Sequence, residues 1–205
     1  EKAKSALVSV RKLGEALTKK RKKAAPKLAK AIAEHLQDLG FKQAAFDLVF
    51  EEQASPSATG LETVDFQFGP NPGEPLKPLK QIASSGEISR VMLAVKSALA
   101  HQDATPLMVF DEIDANVGGE IARAVGLKMA ALGKRHQVVS ITHFPQVAAV
   151  AAQHFLVEKI VEEGRTMSRM FEVEGEERID ELVRMLGGGD GDQARAMAKS
   201  LIQVQ

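Results

Sequence analysis

The sequence contains no cysteine, no tryptophan and no tyrosine, and its 205 residues include only nine phenylalanines. Without cysteine, the chain can build neither a disulfide framework nor a thiolate metal site, and it has no cysteine nucleophile. The hydrophobic share of 44% is still enough for a substantial core, which excludes a disordered chain. That core must be aliphatic, because so few aromatic side chains are available.

Long apolar runs are also missing from the sequence. No segment approaches the roughly 20 apolar residues that a membrane-spanning helix needs. The basic N-terminal segment is not followed by the apolar stretch of a signal peptide. These absences predict a cytoplasmic protein that does not contact membranes.

The formal net charge is zero, but the two signs are unevenly distributed. Residues 1–30 contain eleven Lys or Arg and two Glu, a net charge of +9, so the remaining 175 residues carry −9. Five successive cations in this basic segment suit salt-dependent contact with a phosphate backbone, without reading of base sequence. The alternative is a solvated helical face. The five are Lys19, Lys20, Arg21, Lys22 and Lys23.

Residues 1–39 predict a helix with a narrow apolar stripe and polar flanks, which is typical of a coiled-coil strand. Pro26 is expected to interrupt this helix or to open a second one. We therefore expect a coiled-coil helix over residues 1–39 and a separate domain over residues 40–205. The stripe consists of Leu7, Val10, Leu13, Leu17, Leu28, Ile32, Leu36 and Leu39.

From residue 40 onward, strand and helix patterns alternate. This alternation predicts an α/β fold with a mostly parallel central sheet flanked by helices. The predicted strands cover 41–51, 60–70, 106–112, 136–143, 154–164 and 165–175, and the predicted helices cover 84–102, 118–134, 145–153, 176–188 and 192–203.

Acidic residues follow the most apolar of these strands, in the stretch LMVFDEID. Strands that are apolar on both faces are typical of the centre of a parallel sheet, and ligands bind at the carboxyl ends of such strands. Asp111 and Glu112 fall at that edge, where one carboxylate can hold Mg²⁺ and the other can position or deprotonate a water. The alternative is that both acids simply end the strand and face solvent.

Two further segments could contact an anion. In ASSGEIS, free N–H groups at the start of a helix and the hydroxyls of Ser84 and Ser85 can bind phosphate. The same residues also suit ordinary helix capping, with Glu87 in the first turn. In SITHF, His143 follows the next buried strand and could contact a phosphate or serve as a structural residue.

The order and spacing of these segments resemble the second half of an ABC-type ATPase head of the SMC and Rad50-like kind. SSGEIS resembles the signature motif, LMVFDE the Walker B strand, and SITHF the switch-histidine loop. ASSGEISRVMLAVKSAL, VFDEID, ITHFPQVAAVAAQHFLVEK and ELVRMLGG resemble the RecN family of bacterial DNA-repair proteins over residues 40–190. The leading helix resembles the returning arm of that family's coiled coil.

The resemblance implies an ATPase that uses ATP and Mg²⁺ and hydrolyses ATP by in-line attack of water on the γ-phosphate. Asp111 would support Mg²⁺ through water, Glu112 would activate the attacking water, and His143 would sense the γ-phosphate.

The signature segment would contact a nucleotide held by a second subunit. Two heads related by a two-fold axis would then enclose two ATP molecules, so ATP would join the homodimer and hydrolysis would release it. The residues concerned are Ser84, Ser85, Gly86 and Glu87.

Three features depart from the family's pattern. Ser85 takes the first position of the usual Gly-Gly pair, and Gly118 stands where an Asp usually follows the Walker B Glu by six residues. Asp114 lies nearby but out of register, so it is not assigned that role. No G-x-x-x-x-G-K-[ST] phosphate loop occurs in the chain. The resemblance places that loop in an N-terminal half of the same protein, so we expect this chain alone to be inactive.

The implied function is the C-terminal part of an ATP-dependent protein for double-strand-break repair and recombination, which binds DNA without sequence preference at the nucleoid. One alternative is another ABC-class function, either an SMC-type chromosome organiser or a transporter subunit, although the long basic helix disfavours the transporter. The other alternative is a non-catalytic coiled-coil adaptor.

Overall fold

The computed structural model describes residues 1–162, 165–189 and 191–203, so Glu163 and Gly164, the end of one predicted strand, lie outside the described residues. The chain forms two compact units, Glu1–His101 and Gln102–Gln205. Among the described residues, no helix combines the length and the apolar composition that crossing a membrane requires.

The first unit combines two helices with a small antiparallel sheet. Strands β1 and β2 form a hairpin, and β3 pairs with the other edge of β2. In chain order the elements are α1 (Lys2–Asp38), β1 (Ala45–Ser57), β2 (Gly60–Gly69), β3 (Lys77–Pro78), a 3₁₀ turn (Leu79–Gln81) and α2 (Ser85–Leu99).

Helix α1 is continuous, so the prediction that Pro26 interrupts it is wrong. A proline inside a helix removes a hydrogen bond and costs about 3 kcal/mol. Packing near the proline offsets this cost, because Ala25, Ile32 and Leu36 are all buried. The apolar stripe of the first half of the helix is exposed instead, at Leu7, Val10, Leu13 and Leu17.

The second unit contains the parallel strands. Strands β4 and β5 pair in parallel, from Leu107 opposite Gln137 to Phe110 opposite Ser140, whereas β6 and β7 pair antiparallel. In chain order the elements are β4 (Leu107–Phe110), α3 (Gly119–Gly133), β5 (Gln137–Ser140), α4 (Pro145–Ala148), β6 (Phe155–Glu162), β7 (Arg165–Glu172), α5 (Gly175–Met185) and α6 (Asp192–Gln203).

The predicted α/β class is confirmed, since helices flank the strands and a parallel sheet is present. The parallel sheet has two strands in the described part of the chain, and the longer strands pair antiparallel. Connection length accounts for the difference, because parallel neighbours need a crossover of a dozen or more residues. Residues 111–136 provide such a crossover through α3, whereas only Ala58 and Thr59 separate β1 from β2.

Arg178 on α5 holds the end of α4 in place. Its Nη2 donates to the carbonyl oxygens of Ala148, Ala149 and Ala151 at 3.2, 2.9 and 2.7 Å. These carbonyls lie at the C-terminal end of a helix, where backbone acceptors lack partners within the helix. Burial lowers the pKa of the Arg178 guanidinium. The arginine therefore secures the segment that follows His143.

Candidate active site

The loop after β4 contains two exposed carboxylates followed by two buried residues. Asp111 and Glu112 come directly after the last strand residue, and both are exposed. Ile113 and Asp114 come next and are 0% and 1% exposed. The buried side chains of Ile113 and Asp114 anchor the loop in the protein. The exposed carboxylates of Asp111 and Glu112 are therefore held at the carboxyl edge of the parallel strands.

The backbone of Glu112 adopts an uncommon conformation. Its φ is 54°, in the left-handed region that few residues other than glycine occupy. The N–H of Ala115 donates to the carbonyl oxygen of Glu112 at 3.0 Å, which closes a turn. Such a conformation costs of the order of 1–3 kcal/mol and persists only where the surrounding structure enforces it. The direction of the Glu112 side chain is therefore set by the turn rather than by the strand.

The loop after β5 lies beside this turn. The N–H of Ile141 donates to the carbonyl oxygen of Phe110 at 2.9 Å, which extends the parallel pairing to the edge of the sheet. Beyond it, Thr142 Oγ1 donates to Asp114 Oδ2, and Nδ1 of His143 lies 3.9 Å from Asp114 Oδ1. Asp114 therefore joins the loop that carries Glu112 to the loop that carries His143.

His143 itself remains accessible. Its side chain is 75% exposed, and its ring packs against Phe144 with the centroids 4.6 Å apart. An exposed imidazole at the edge of the sheet can reach a ligand, whereas a structural histidine would be enclosed.

Sequence reasoning left Asp114 unassigned, although the structure places it at the centre of the two loops. Its partner Thr142 is 28 residues away along the chain. The sequence does contain both residues in suggestive places, since Asp114 is a third acid after β4 and Thr142 directly precedes His143. Neither residue matched the register of a known motif, so spacing could not pair them.

The predicted signature residues lie in the first unit, at the start of α2. Ser84 is the N-cap, with φ −88° and ψ 122°, and its Oγ accepts a hydrogen bond from the N–H of Glu87 at 3.3 Å. Ser85 is exposed and Gly86 is buried in the first turn. This is the capping arrangement that the sequence offered as the alternative to anion binding. The two uses are compatible, because a hydroxyl that accepts one hydrogen bond can still donate another.

Helix α2 is fixed to the core of the first unit a turn after its cap. The buried Arg90 guanidinium lies 5.3 Å from the centroid of the Phe41 ring, and burial lowers the pKa of Arg90. Phe41 in turn meets Phe68 edge to face, with centroids 5.2 Å apart. The helix start therefore has a rigid support.

The five cations of the basic run differ in their surroundings. Arg21 Nη1 donates to Oε1 of Glu62 at 3.0 Å, and Thr18 Oγ1 donates to Oε2 of the same carboxylate. These hydrogen bonds, from Thr18 first and then Arg21, lower the pKa of Glu62, which is 5% exposed on β2. Lys22 Nζ lies 6.0 Å from the centroid of the Phe50 ring. Arg21 therefore ties α1 to the hairpin.

The remaining lysines of the run face solvent. Lys19, Lys20 and Lys23 are all exposed, as are Lys27 and Lys30 further along the helix. Lys19, Lys23, Lys27 and Lys30 recur at three- and four-residue spacing, so they share one face of α1. The result is a cationic stripe rather than an isolated cluster.

The exposed carboxylate of Asp111 could serve as a ligand for Mg²⁺. Within the described residues, no group of three or more His, Asp or Glu side chains is placed to hold a metal ion. Mg²⁺ commonly takes only one or two carboxylates and fills its other positions with water and phosphate oxygens. A single exposed carboxylate at the end of a strand fits that ligand set.

The most informative comparisons are with curated sequences. DNA repair protein RecN of Deinococcus radiodurans is 41% identical over 191 residues, which cover 93% of this chain and 34% of that protein. RecN of Xylella fastidiosa is 41% identical over 202 residues, covering 97% of this chain and 36% of that protein. RecN of Streptomyces coelicolor is 39% identical over 205 residues, which cover 94% of this chain and 36% of that protein. The chain spans about a third of the length of these relatives.

Solved structures give the fold. The Smc head domain with a coiled coil and joint from Pyrococcus yayanosii matches with a TM-score of 0.57 at 22% identity, covering 77% of this chain and 28% of that chain. An SMC ATPase studied for ATP-driven dimerization and DNA-stimulated activation matches with a TM-score of 0.50 at 19% identity. The match covers 80% of this chain and 93% of that chain. The fold is therefore that of an SMC-type head.

No protein-family model matches the chain. The identity of about 40% with RecN proteins nevertheless extends over more than nine-tenths of its length. The chain belongs to the RecN family of DNA repair proteins.

Proposed function

We propose that this chain is the C-terminal part of an ATPase head in an ATP-dependent DNA-binding protein for double-strand-break repair and recombination. Residues 1–39 are the returning helix of a coiled-coil arm, and residues 40–205 are the C-terminal lobe of the head. The observation that carries the proposal is the pair of adjoining loops after β4 and β5, which hold two exposed carboxylates and an exposed histidine. Identity of about 40% with RecN, against 22% with an Smc head, favours repair over chromosome organisation.

In this proposal Glu112 is the general base. Its exposed carboxylate can accept a proton from a water aligned with the γ-phosphate, and in-line attack then gives ADP and phosphate. The turn that sets the left-handed backbone of Glu112 orients the carboxylate before the nucleotide arrives. His143, on the adjoining loop, contacts the γ-phosphate and distinguishes ATP from ADP.

Asp111 holds Mg²⁺ through water. When bound, the ion neutralises negative charge on the phosphate oxygens. Asp111 is suited to this task because it is exposed and lies next to Glu112, so the same edge serves the ion and the attacking water.

The start of α2 binds a nucleotide held by a second head. Free N–H groups and the positive end of the helix dipole favour a phosphate there. Two heads joined by two ATP molecules form the active homodimer, and hydrolysis separates them. The contacting residues are Ser84, Ser85, Gly86 and Glu87.

The phosphate loop with its lysine comes from the N-terminal part of the same protein. The chain has no such motif and spans only about a third of its relatives' length. This chain alone therefore binds ATP weakly and does not hydrolyse it.

The cationic stripe on α1 and the neighbouring Lys20 contact the DNA backbone without sequence preference, in the cytoplasm at the nucleoid. Lys19, Lys20 and Lys23 make the larger contribution, because Arg21 and Lys22 already have partners in the protein. Replacing those three lysines with glutamine should weaken DNA binding and reduce the salt dependence of log K by about one unit for each lost phosphate contact. The charge-matched control replaces Lys134, Arg135 and Lys159, all exposed in the second unit. Equal salt slopes for the two triple variants would show that these three lysines only form part of a solvated face.

The experiment that tests the proposal is ATP turnover by this chain alone, by the N-terminal part alone, and by the two mixed. Co-elution in gel filtration verifies that the parts associate, and the undivided protein serves as the positive reference. We expect turnover only in the mixture and in the undivided protein. Turnover by this chain alone, or an assembled mixture and an undivided protein that both fail to hydrolyse ATP, contradicts the proposal.

A further inference from the structure

Asp114 is a buried carboxylate between the two loops of the candidate active site. It is 1% exposed, and ionisable carboxylates are almost never so fully buried unless they are paired. Its two oxygens have different neighbours: Oδ2 accepts from the Thr142 hydroxyl, and Oδ1 faces Nδ1 of His143 at 3.9 Å. One side chain from the Glu112 loop therefore meets two successive residues of the His143 loop.

Thr142 fixes the backbone on both sides of His143. Its hydroxyl proton is directed to Asp114, while its oxygen accepts the N–H of Phe144 at 3.0 Å. The residues before and after His143 are thereby joined to each other and to Asp114. The histidine backbone cannot rotate away unless this network opens.

Asp114 also faces one of the two ring nitrogens of His143. A separation of 3.9 Å is too long for a hydrogen bond, yet a carboxylate this close favours a proton on Nδ1 over the other tautomer. In that tautomer Nε2 is the ring nitrogen that has a lone pair to offer.

We infer that Asp114 is a positioning residue, which holds the loop after β5 against the loop after β4 and presents Nε2 of His143 to the γ-phosphate. This inference rests on the proposed function only for the identity of the ligand. The contacts within the protein are independent of it.

The first test is ¹⁵N NMR of the histidine side chains of this chain at alkaline pH, where a free imidazole is neutral. The signals of His143 are identified by their loss in His143→Gln. We expect a protonated Nδ1 in the unmodified chain, and a shift towards the free-histidine mixture of tautomers in Asp114→Asn. Thr142→Val provides a second variant that keeps the carboxylate and removes only the hydroxyl link, and it should shift the same signals by a smaller amount. Asp180→Asn, an exposed carboxylate in the same unit, should leave them unchanged.

The second test is ATP turnover by the undivided protein. Asp114→Asn should lower kcat about 10- to 100-fold, as loss of an orienting partner commonly does, with a smaller change in KM. If Asp114 acts through His143, adding Asp114→Asn to His143→Gln should cause less than about a twofold further loss.

The outcomes separate the two proposals. An unmodified protein that does not hydrolyse ATP overturns the proposed function, and the NMR result still decides the role of Asp114. Conversely, an active protein in which the two substitutions are additive, or unchanged His143 signals in both Asp114→Asn and Thr142→Val, overturns the positioning role alone.

Discussion

Among the described residues, each unit contains a buried carboxylate that accepts a hydrogen bond from a threonine, but the two carboxylates face different basic side chains. In the first unit, Glu62 accepts from Thr18 and from the guanidinium of Arg21 at 3.0 Å. In the second unit, Asp114 accepts from Thr142 and has an imidazole 3.9 Å away. Both carboxylates accept a hydrogen bond from a threonine, but Glu62 is also hydrogen-bonded to its guanidinium, whereas the imidazole beside Asp114 is too distant for a hydrogen bond.

This difference separates an architectural carboxylate from one suited to function. A guanidinium is charged at every accessible pH, so Arg21 is a constant partner for Glu62, and the pair joins α1 to the hairpin. The imidazole of His143 is 75% exposed, so a ligand can reach it. Asp114 therefore lies beside a side chain that a ligand can reach, whereas the partner of Glu62 is a guanidinium that joins two elements of the protein.

The largest loss of stability is expected for Glu62→Gln. Removing this carboxylate leaves the half-buried guanidinium of Arg21 without its charge partner, which is more costly than losing one hydrogen bond. Asp114→Asn leaves no permanent cation behind, so it should lower Tm less. Thermal unfolding, monitored by circular dichroism, gives the Tm of each variant and so ranks them. A decrease in Tm for Asp114→Asn that equals or exceeds the decrease for Glu62→Gln would contradict this ranking.

A smaller loss of stability is expected when α4, the helix that follows the His143 loop, is displaced. A Cβ added at Gly126 on α3 would lie 2.7 Å from Val150 Cγ2 and 3.2 Å from backbone atoms of Gln146 and Val147. Because backbone cannot move aside cheaply, Gly126→Ala should cost about 1–3 kcal/mol. Gly133→Ala in the same helix is the control, since its Cβ would meet none of the described atoms within 4 Å. Urea denaturation of both variants measures the difference in their free energies of unfolding. Equal midpoints would show that α4 moves aside at no cost in stability.

The two units should also differ in their response to acid. Burial, and then the nearby Arg178, lower the pKa of His154 in the second unit. Below about pH 6.5 the unfolded state therefore binds a proton that the folded state resists, and the stability of this unit falls as pH falls.

The contribution of Glu62 has a different pH window. Its folded pKa is lowered from 4.5, so its stabilisation is fully present above that value and is lost only as pH falls through the folded pKa. Amide hydrogen exchange at about pH 7.5 and about pH 5.5, corrected for intrinsic rates, should show loss of protection first in the second unit. His154→Gln should remove this difference. Earlier loss in the first unit would contradict the assignment.

The smallest effect is expected for Arg195→Gln. Arg195 pairs with Glu176 and Asp180, and these hydrogen bonds raise its pKa. All three side chains are largely exposed, and solvent screens such pairs. We expect no measurable change in Tm. A decrease comparable to that of Glu62→Gln would mean that charge pairing, and not burial, decides the ranking.

The sequence predicted what is local in this molecule. Apolar runs and their periodicity indicated β4, β5 and the helices between and after them, because these patterns repeat within a few residues. Capping by Ser84 was also readable, since its partner Glu87 is three positions away. The continuity of α1 through Pro26 was not, because tertiary packing overrides the local cost.

Contacts between distant residues were beyond sequence reasoning. Thr142 and Asp114 are separated by 28 positions, and Arg21 and Glu62 by 41. A run of five cations gave no indication that one of them is committed to a buried glutamate. The left-handed backbone of Glu112 and the burial of Ile113 and Asp114 are likewise visible only in the folded chain.

The central claim is that the exposed carboxylate beside these buried residues performs hydrolysis. The most direct measurement is ATP turnover and ATP-dependent head pairing by the undivided protein with Glu112→Gln. We expect turnover to fall by at least about 10²- to 10⁴-fold, while the heads still pair when ATP is added. Turnover equal to that of the unmodified protein would contradict the claim.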